Sequence, residues 1–363
     1  MIEIRYEPLR SLGLTPALAA EAAACDPGST EAGQLMRLTE MHRETLSVHD
    51  GEAEARARPR PRLVRALAEA GDSLAVGDWL VVRREADGSL WVDARLPPRS
   101  FIERRDADGR RHPVVSNVDT ALLVMGLDDD FNLRRLERYL ALAQASAVRP
   151  LVVLTKLDVA AGDADRLGAR LAALDARIPA RVDRLAVDAT AAPTALALEP
   201  HLAAGQTLVL LGSSGAGKST LTNTLLGAAQ QSTGAVREHD SRGKHTTTSR
   251  SLHRLPGGAC SIDTPGLRTL RLDADEATLG ASFDDVATLA GACRFRDCRH
   301  QDEPGCAVRA GVDGDRLRNY QKLLREARRD TLTVFERQQQ AAAWKARTRS
   351  TRSWMKLKRG ADD

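Results

Sequence analysis

Aromatic residues make up only 3% of the 363-residue chain, so its cores must be built from Leu, Val and Ala. Apolar runs are short as well. ALLVMGL at 121–127 is among the longest, far below the ~20 residues a membrane-spanning helix needs. The start MIEIRYEPLRSLG has no apolar stretch of the kind a secretory leader carries, so a cytoplasmic protein without a membrane segment is expected. Cysteine is scarce, five residues in all, which excludes a disulfide-framed secreted module. Three of the five crowd into residues 293–306, and that crowding reads as a metal site.

What is present is ordinary for a globular protein: 42% hydrophobic and 28% charged residues, in a length that suggests roughly two to three domains. The net charge of +4 is unevenly placed. Lys345, Arg347, Arg349, Arg352, Lys356, Lys358 and Arg359 follow one another with no acid between them. Such a tail meets nucleic acid or another polyanion, or is a solvated terminus. Residues 1–38 are Ala-rich and read as a helical or loose extension. Over 39–112 the segments ETLSVHDG, SLAVGDWLVVRRE and GSLWVDARL read as short strands punctuated by Gly-Asp and Asp-Gly turns, a small β-barrel for which an OB-fold is the natural candidate. Between the first two lies ARARPRPRLVR, with Arg56, Arg58, Arg60, Arg62 and Arg65. Its Pro59 and Pro61 argue for an extended basic loop, either RNA-binding or merely soluble. Over 113–286 apolar strands alternate with helical patterns, the signature of a parallel sheet with crossover helices. Residues 287–363 hold the Cys/His cluster, charged helices and the basic tail.

GSSGAGKST supplies Gly212, Ser213, Ser214, Gly215, Ala216, Gly217, Lys218, Ser219 and Thr220, with Gly212, Gly217, Lys218 and Ser219 in the phosphate-loop spacing. The glycines let backbone N–H groups turn inward onto phosphate oxygens, and the following helix adds its positive end. Lys218 would bridge the β- and γ-phosphates, and the Ser219 hydroxyl would ligate Mg²⁺. In DTPG, 45 residues after Lys218, Asp263 would serve Mg²⁺ through water and the Gly266 N–H would approach the γ-phosphate. Between them, RGKHTTTSR offers a switch threonine for Mg²⁺: Thr247, with Thr246 and Thr248 as rivals.

TKLD, residues 155–158, ends an apolar run. Its Asp158 can accept two hydrogen bonds from N1–H and the exocyclic amine of guanine, a donor pair adenine lacks. Lys156 would cover the base, Thr155 would tie this loop to the phosphate loop, and VDAT at 187–190, with Asp188 and Ala189, would form the second base loop. Base-reading motifs thus precede the phosphate loop, so a P-loop GTPase domain is expected in circularly permuted order. CRFRDCRHQDEPGC places Cys293, Cys298, His300 and Cys306 in C-x4-C-x-H-x5-C spacing. Three thiolates and an imidazole make a closed structural zinc site; free buried cysteines are the alternative. Cys260 reads as core, and Cys25 has no partner.

With these motifs in hand the chain resembles the RsgA (YjeQ) family of circularly permuted ribosome-assembly GTPases over nearly its whole length. The resemblance implies an OB-fold, a permuted GTPase domain and a C-terminal zinc-binding helical domain. It implies GTP hydrolysis with Mg²⁺, one structural Zn²⁺, stimulation by the small ribosomal subunit during its late maturation, and rRNA contacts from the barrel and the zinc domain. Hydrolysis would time release; the rival reading is a GTP-gated rRNA-binding module. A monomer is expected. Two positions qualify the carry-over. Asp188 stands where such GTPases usually have Ser, which leaves the contacts of Asp188 and Ala189 open. Leu267 follows Gly266 where a water-positioning Gln is common elsewhere, so intrinsic turnover is expected to be slow. His245 is the nearest candidate to position water, its alternatives being an RNA contact or loop ordering.

Overall fold

The computed structural model describes residues 2–24, 33–42, 44–105, 111–227, 250–264 and 276–330. Strand β1 (Ile2–Glu3) and helices α1 (Tyr6–Arg10) and α2 (Pro16–Ala24) come first. They are followed by β2 (Gly33–Met41), β3 (Leu46–His49), β4 (Glu54–Pro59), α3 (Pro61–Glu69), β5 (Trp79–Arg84) and β6 (Leu90–Arg95). β2 pairs antiparallel with both β3 and β5, β3 with β4 and β5 with β6, while β4 runs parallel to β6. The five strands therefore close on themselves. Alternate side chains, among them Met36, Leu38, Val48, Leu80, Val82 and Val92, fill the interior, and closure leaves no open sheet edge.

Two expectations fail in this half. ARARPRPRLVR is not an extended loop: Arg56 and Arg58 lie on β4, and Arg62 and Arg65 lie on α3. Pro61 stands in the first turn of α3, where a missing N–H costs no hydrogen bond, so it starts the helix it was expected to prevent. Arg60 and Arg62 both meet the buried Asp93, at 3.2 and 3.1 Å, and Arg60 stacks over Trp91. The start of the chain is helical in α1 and α2, but its described residues are packed rather than a separate extension. Leu9, Leu12, Leu14, Leu18 and Ala22 are buried in the largest core of the molecule, and the first barrel strand begins at Gly33, ahead of the boundary at 39. Arg37 on β2 clasps these parts together. It is 1% exposed and donates to Leu12 O, to Gly77 O at 3.2 Å and to Asn117 O at 3.0 Å.

A hairpin of β7 (Phe101–Arg105) and β8 (Arg111–Ser116) leads into the second half. Its elements are β9 (Thr120–Gly126), α4 (Leu133–Ala145), β10 (Arg149–Thr155), α5 (Leu157–Ala160), α6 (Ala164–Asp175), β11 (Asp183–Ala186), α7 (Pro193–Leu198), β12 (Thr207–Leu211), α8 (Lys218–Leu226), β13 (Ser251–Arg254) and β14 (Cys260–Asp263). The sheet runs β11-β10-β9-β12-β14-β13, parallel except for β13. Among the described residues a single strand pairing, Ser251 with Glu40, joins it to the barrel.

Every residue of β9 is buried. This continuous apolar run is what a strand covered on both faces requires. Leu122 and Val124 enter one core with Leu208, Leu210, Leu221 and Leu225; Ala121, Leu123 and Met125 enter the other. That second face also receives α9 (Glu276–Ser282), α10 (Asp284–Ala290), α11 (Ala307–Gly311) and α12 (Gly314–Asp330), through Leu279, Phe283, Val308 and Leu323 among others.

A buried polar cluster seats the C-terminal helices on α4. Arg316, 2% exposed, meets Glu137 at 2.7 Å and Asp285 at 2.7 and 2.8 Å, and Asn319 donates to the other Glu137 oxygen at 2.5 Å. Burial pushes the Glu137 carboxyl above its ordinary pKa, against the pull of Asn319 and Arg316. Removing Arg316 leaves this buried carboxylate with Asn319 and only the more distant Arg177, at 3.8 Å. Arg316→Ala is expected to destabilise the chain by about 3–5 kcal/mol, read as a lowered thermal midpoint. Glu137→Leu combined with Arg316→Met is expected to recover part of that loss.

Candidate functional site

Strand order reverses between β9 and β12: the chain leaves β9 toward β10 and β11, and leaves β12 toward β14. Loops at the carboxyl ends of such a pair diverge and leave a crevice. The carboxyl ends of β9, β10, β11, β12 and β14 all open onto it.

The loop Gly212–Gly217 joins the buried β12 to α8. Gly212 is dictated by a close approach: a Cβ there would lie 2.4 Å from Val124 O on β9. Gly215 and Gly217 have φ of +81° and +88°, the left-handed conformation that turns successive N–H groups to one side. Ala216 is buried, Ser213 is half-buried, and Ser214 and Gly215 are exposed. Lys218, Ser219 and Thr220 form the first turn of α8, whose positive end faces the loop. Lys218 Nζ donates to Gly212 O at 2.8 Å and Ser213 O at 2.5 Å, so its ammonium lies within the loop's curl.

Thr155 ends β10, fully buried, and its hydroxyl donates to Ala216 O at 2.7 Å. The TKLD loop is thereby bonded to the phosphate loop. Lys156 adopts φ +60° and begins α5. Asp158 lies in the first turn of α5, exposed, and its carboxylate meets no donor or cation among the described residues. After β11, Asp188 accepts from Thr190 N and Oγ1 at 2.9 and 2.6 Å, and these bonds hold its pKa below the usual carboxylate value. Asp188 is thus occupied with its own turn. Ala189 is buried and its carbonyl accepts from Thr224 of α8 at 2.6 Å. Asp263 ends β14, and the neighbouring Thr264 donates to Leu210 O on β12 at 3.1 Å. Gly266, Leu267, His245 and Thr247, with Thr246 and Thr248, lie outside the described residues, as do Cys25 and the basic tail.

Two residues went unnoticed in the sequence. Asp128 and Asp130 follow β9. Asp128 meets Lys156 Nζ at 2.6 Å, and Asp130 accepts from Ser213 Oγ at 2.5 Å while pairing with Arg135 at 2.6 Å. Burial works against the Asp128 carboxylate, yet the Lys156 contact and the Asp130 N–H together keep its pKa low. Asp128 thus holds the Lys156 side chain in place. The signal was there to read: three consecutive acids close an otherwise apolar strand in GLDDD.

The Cys/His cluster is separate from this crevice. The ligand atoms of Cys293, Cys298, His300 and Cys306 all lie within 4.8 Å of one another. Cys293 Sγ is 3.9 Å from Cys306 Sγ, and His300 Nδ1 is 3.6 and 3.5 Å from the same two sulfurs. A tetrahedral ion with sulfur bonds of ~2.3 Å separates its ligands by about 3.8 Å, so the donor set fits a metal ion. His300 holds φ +57°, and Gln321 of α12 donates to its carbonyl at 2.7 Å. Cys260, as expected, is core.

The RsgA GTPase family model matches residues 95–273. A small ribosomal subunit biogenesis GTPase RsgA of Xanthomonas axonopodis pv. citri is 46% identical over 299 residues, 80% of either chain. Its counterpart from Xylella fastidiosa M12 is 49% identical over 255 residues, 68% of this chain and 74% of that one. Among solved structures, YjeQ from Thermotoga maritima superposes with a TM-score of 0.59 at 22% identity, covering 81% of this chain and 98% of that one. YloQ, a circularly permuted GTPase, gives 0.57 at 22% identity, covering 83% and 97%.

The Thr155–Ala216 bond generates a direct test. Thr155→Val should keep the strand packed but weaken guanine nucleotide binding about 5- to 10-fold, the worth of one neutral hydrogen bond. Thr155→Ser should bind as the parent does. Titration calorimetry distinguishes them.

Proposed function

The chain belongs to the RsgA GTPase family and is a GTP hydrolase, and from that premise we propose that it acts in late maturation of the small ribosomal subunit, with subunit-stimulated hydrolysis timing its release. The observation that carries this reading is the convergence of the TKLD and phosphate loops through the Thr155–Ala216 bond, in a chain whose relatives are named for small-subunit biogenesis.

In this reading Asp158 takes the guanine N1–H and amine, Lys156 covers the base, and Ala189 backs it. Gly212 to Thr220 hold the phosphates through backbone N–H groups and Lys218. Asp263 and Gly266 face the γ-phosphate. The oxygen donors Ser219, at the start of α8, and Asp263, at the end of the adjacent β14, are chemically suited to Mg²⁺, with Thr247 as the switch ligand. Mg²⁺ bound there would neutralise charge on the β- and γ-phosphates. His245 would orient the attacking water, since Leu267 has no group able to do so. Placement of GTP by the loops, rather than proton transfer, is the main contribution of the residues described.

The Cys₃His group suits one Zn²⁺ with no open position, a structural role. We read the five-stranded barrel as an OB-fold which, with the C-terminal helices, contacts rRNA. Among the described residues no helix is long and apolar enough to cross a membrane; the place of action would be the cytoplasm, and the working form a monomer.

Three measurements follow from this assignment. GTP turnover is expected to be slow for the chain alone and faster only with small subunits, with ATP and large subunits giving no rise. Tight GTP-dependent subunit binding without acceleration would replace the timer with a GTP-gated RNA-binding module. Asp158→Asn should lose about 10- to 100-fold in GTP affinity, the worth of a charge-assisted hydrogen bond. Elemental analysis should find about one zinc per chain, and Cys306→Ser should release it and lower the thermal midpoint.

A further inference from the structure

A groove of about 610 Å³ runs between α4 and α12. It is lined by Arg134, Arg135, Arg138, Arg318, Lys322 and Arg325 and by no carboxylate. Like charges at i, i+4 on one helix repel, and both helices carry them here: Arg134 with Arg138, and Arg318 with Lys322. The repulsion is only partly offset. Asp315 pairs with Arg134 and Arg318, Glu326 with Arg138, and Asp130 with Arg135. Lys322 and Arg325 are exposed, and neither meets a carboxylate among the described residues. A concave surface walled by one sign of charge focuses its field outward and concentrates polyanions.

The groove is also preformed. The buried Glu137–Arg316–Asn319 cluster ties α4 to α12 beside it, so a ligand does not have to assemble its walls, and less affinity is lost to ordering.

We propose that this groove binds the phosphodiester backbone of a single RNA strand. An acidic protein segment is the competing occupant, and two observations disfavour it. Five of the six cations are arginine, whose planar fork matches phosphate with two parallel bonds. Every side chain lining the groove carries a polar or charged group, and the one ring present, Tyr139, is 6% exposed; a protein partner would seek an apolar anchor. The source of the RNA rests on the small-subunit reading, whereas the chemistry of the groove does not. The groove also reaches the nucleotide crevice. Arg135 lines it and pairs with Asp130, whose carboxylate holds Ser213 of the phosphate loop. A backbone phosphate that draws Arg135 away therefore acts on that loop.

The test uses the full chain and the paired substitutions Lys322→Glu/Arg325→Glu and Lys322→Gln/Arg325→Gln, both at exposed positions. The probes are a labelled mixed-sequence RNA of about 20 nucleotides and poly-L-glutamate, with affinity followed against KCl concentration. Two lost phosphate contacts should lower the slope of log K against log salt by about 1.4. RNA affinity should fall about tenfold or more in the charge reversal, while RNA-free GTP turnover and the thermal midpoint stay unchanged. Lys322→Arg/Arg325→Lys should bind RNA as the parent does. Unchanged RNA affinity and slope in both charge-removing variants would overturn the proposal, as would poly-L-glutamate binding as tightly as RNA and weakening in parallel. Small-subunit stimulation of the unaltered chain is measured alongside. Its absence would remove the ribosomal reading while leaving the RNA result to stand or fall by itself.

Discussion

The parallel pairing of β9 with β12 is the constraint on which the candidate nucleotide site depends. Thr120 to Leu123 lie opposite Leu208 to Leu211, joining segments far apart in the chain at the centre of one sheet. Because the two strands sit so close at their carboxyl ends, only glycine fits at 212. From that contact the rest is placed in turn. The phosphate loop curls over β9, Thr155 on the next strand reaches Ala216, and Asp130 after β9 reaches Ser213. Circular permutation leaves this arrangement intact because sheet order, not chain order, decides which loops meet.

Two buried arginines join the outer parts to that sheet, in different ways. Arg37 has carbonyl partners and the ring of Trp79, and burial drives its pKa down. Arg316 has two carboxylates. In both cases the benefit of the contact is smaller than the cost of breaking it, because a stranded partner stays buried. The N-terminal helices, barrel and C-terminal helices are therefore held by interactions that tolerate little half-way substitution.

The sequence was most readable where chemistry is local. GSSGAGKST needs only its own backbone to form the loop, and β9 and β10 announce themselves as apolar runs at the expected positions. TKLD could be placed because it ends one of those runs. Reading failed where position within an element decides the outcome. Pro61 breaks a helix in its interior but opens one in its first turn, and nothing in ARARPRPRLVR by itself says which applies. The Ala-rich start could be read as helical but not as packed, because its burial depends on a sheet formed much later in the chain. Asp128 and Asp130 could be seen as acids but not as partners of Lys156 and Ser213. The arginine groove needed α12 to be laid on α4, a pairing of helices separated by some 180 positions that no window of sequence contains.

The permuted order also has a consequence for synthesis. A ribosome making this chain releases β9, β10 and β11 before β12, so the fully buried β9 waits with one edge unpaired. Domains tend to fold as they emerge, and an exposed apolar edge invites wrong pairing. The barrel is complete by then. The interval of exposure is set by elongation speed from Gly126, which ends β9, to Thr207, which begins β12. In the proposed assignment the base-reading loop appears before the phosphate loop, so a nascent fragment that ends ahead of β12 carries only part of the candidate nucleotide site. Nucleotide binding would then report that β12 has arrived beside β9.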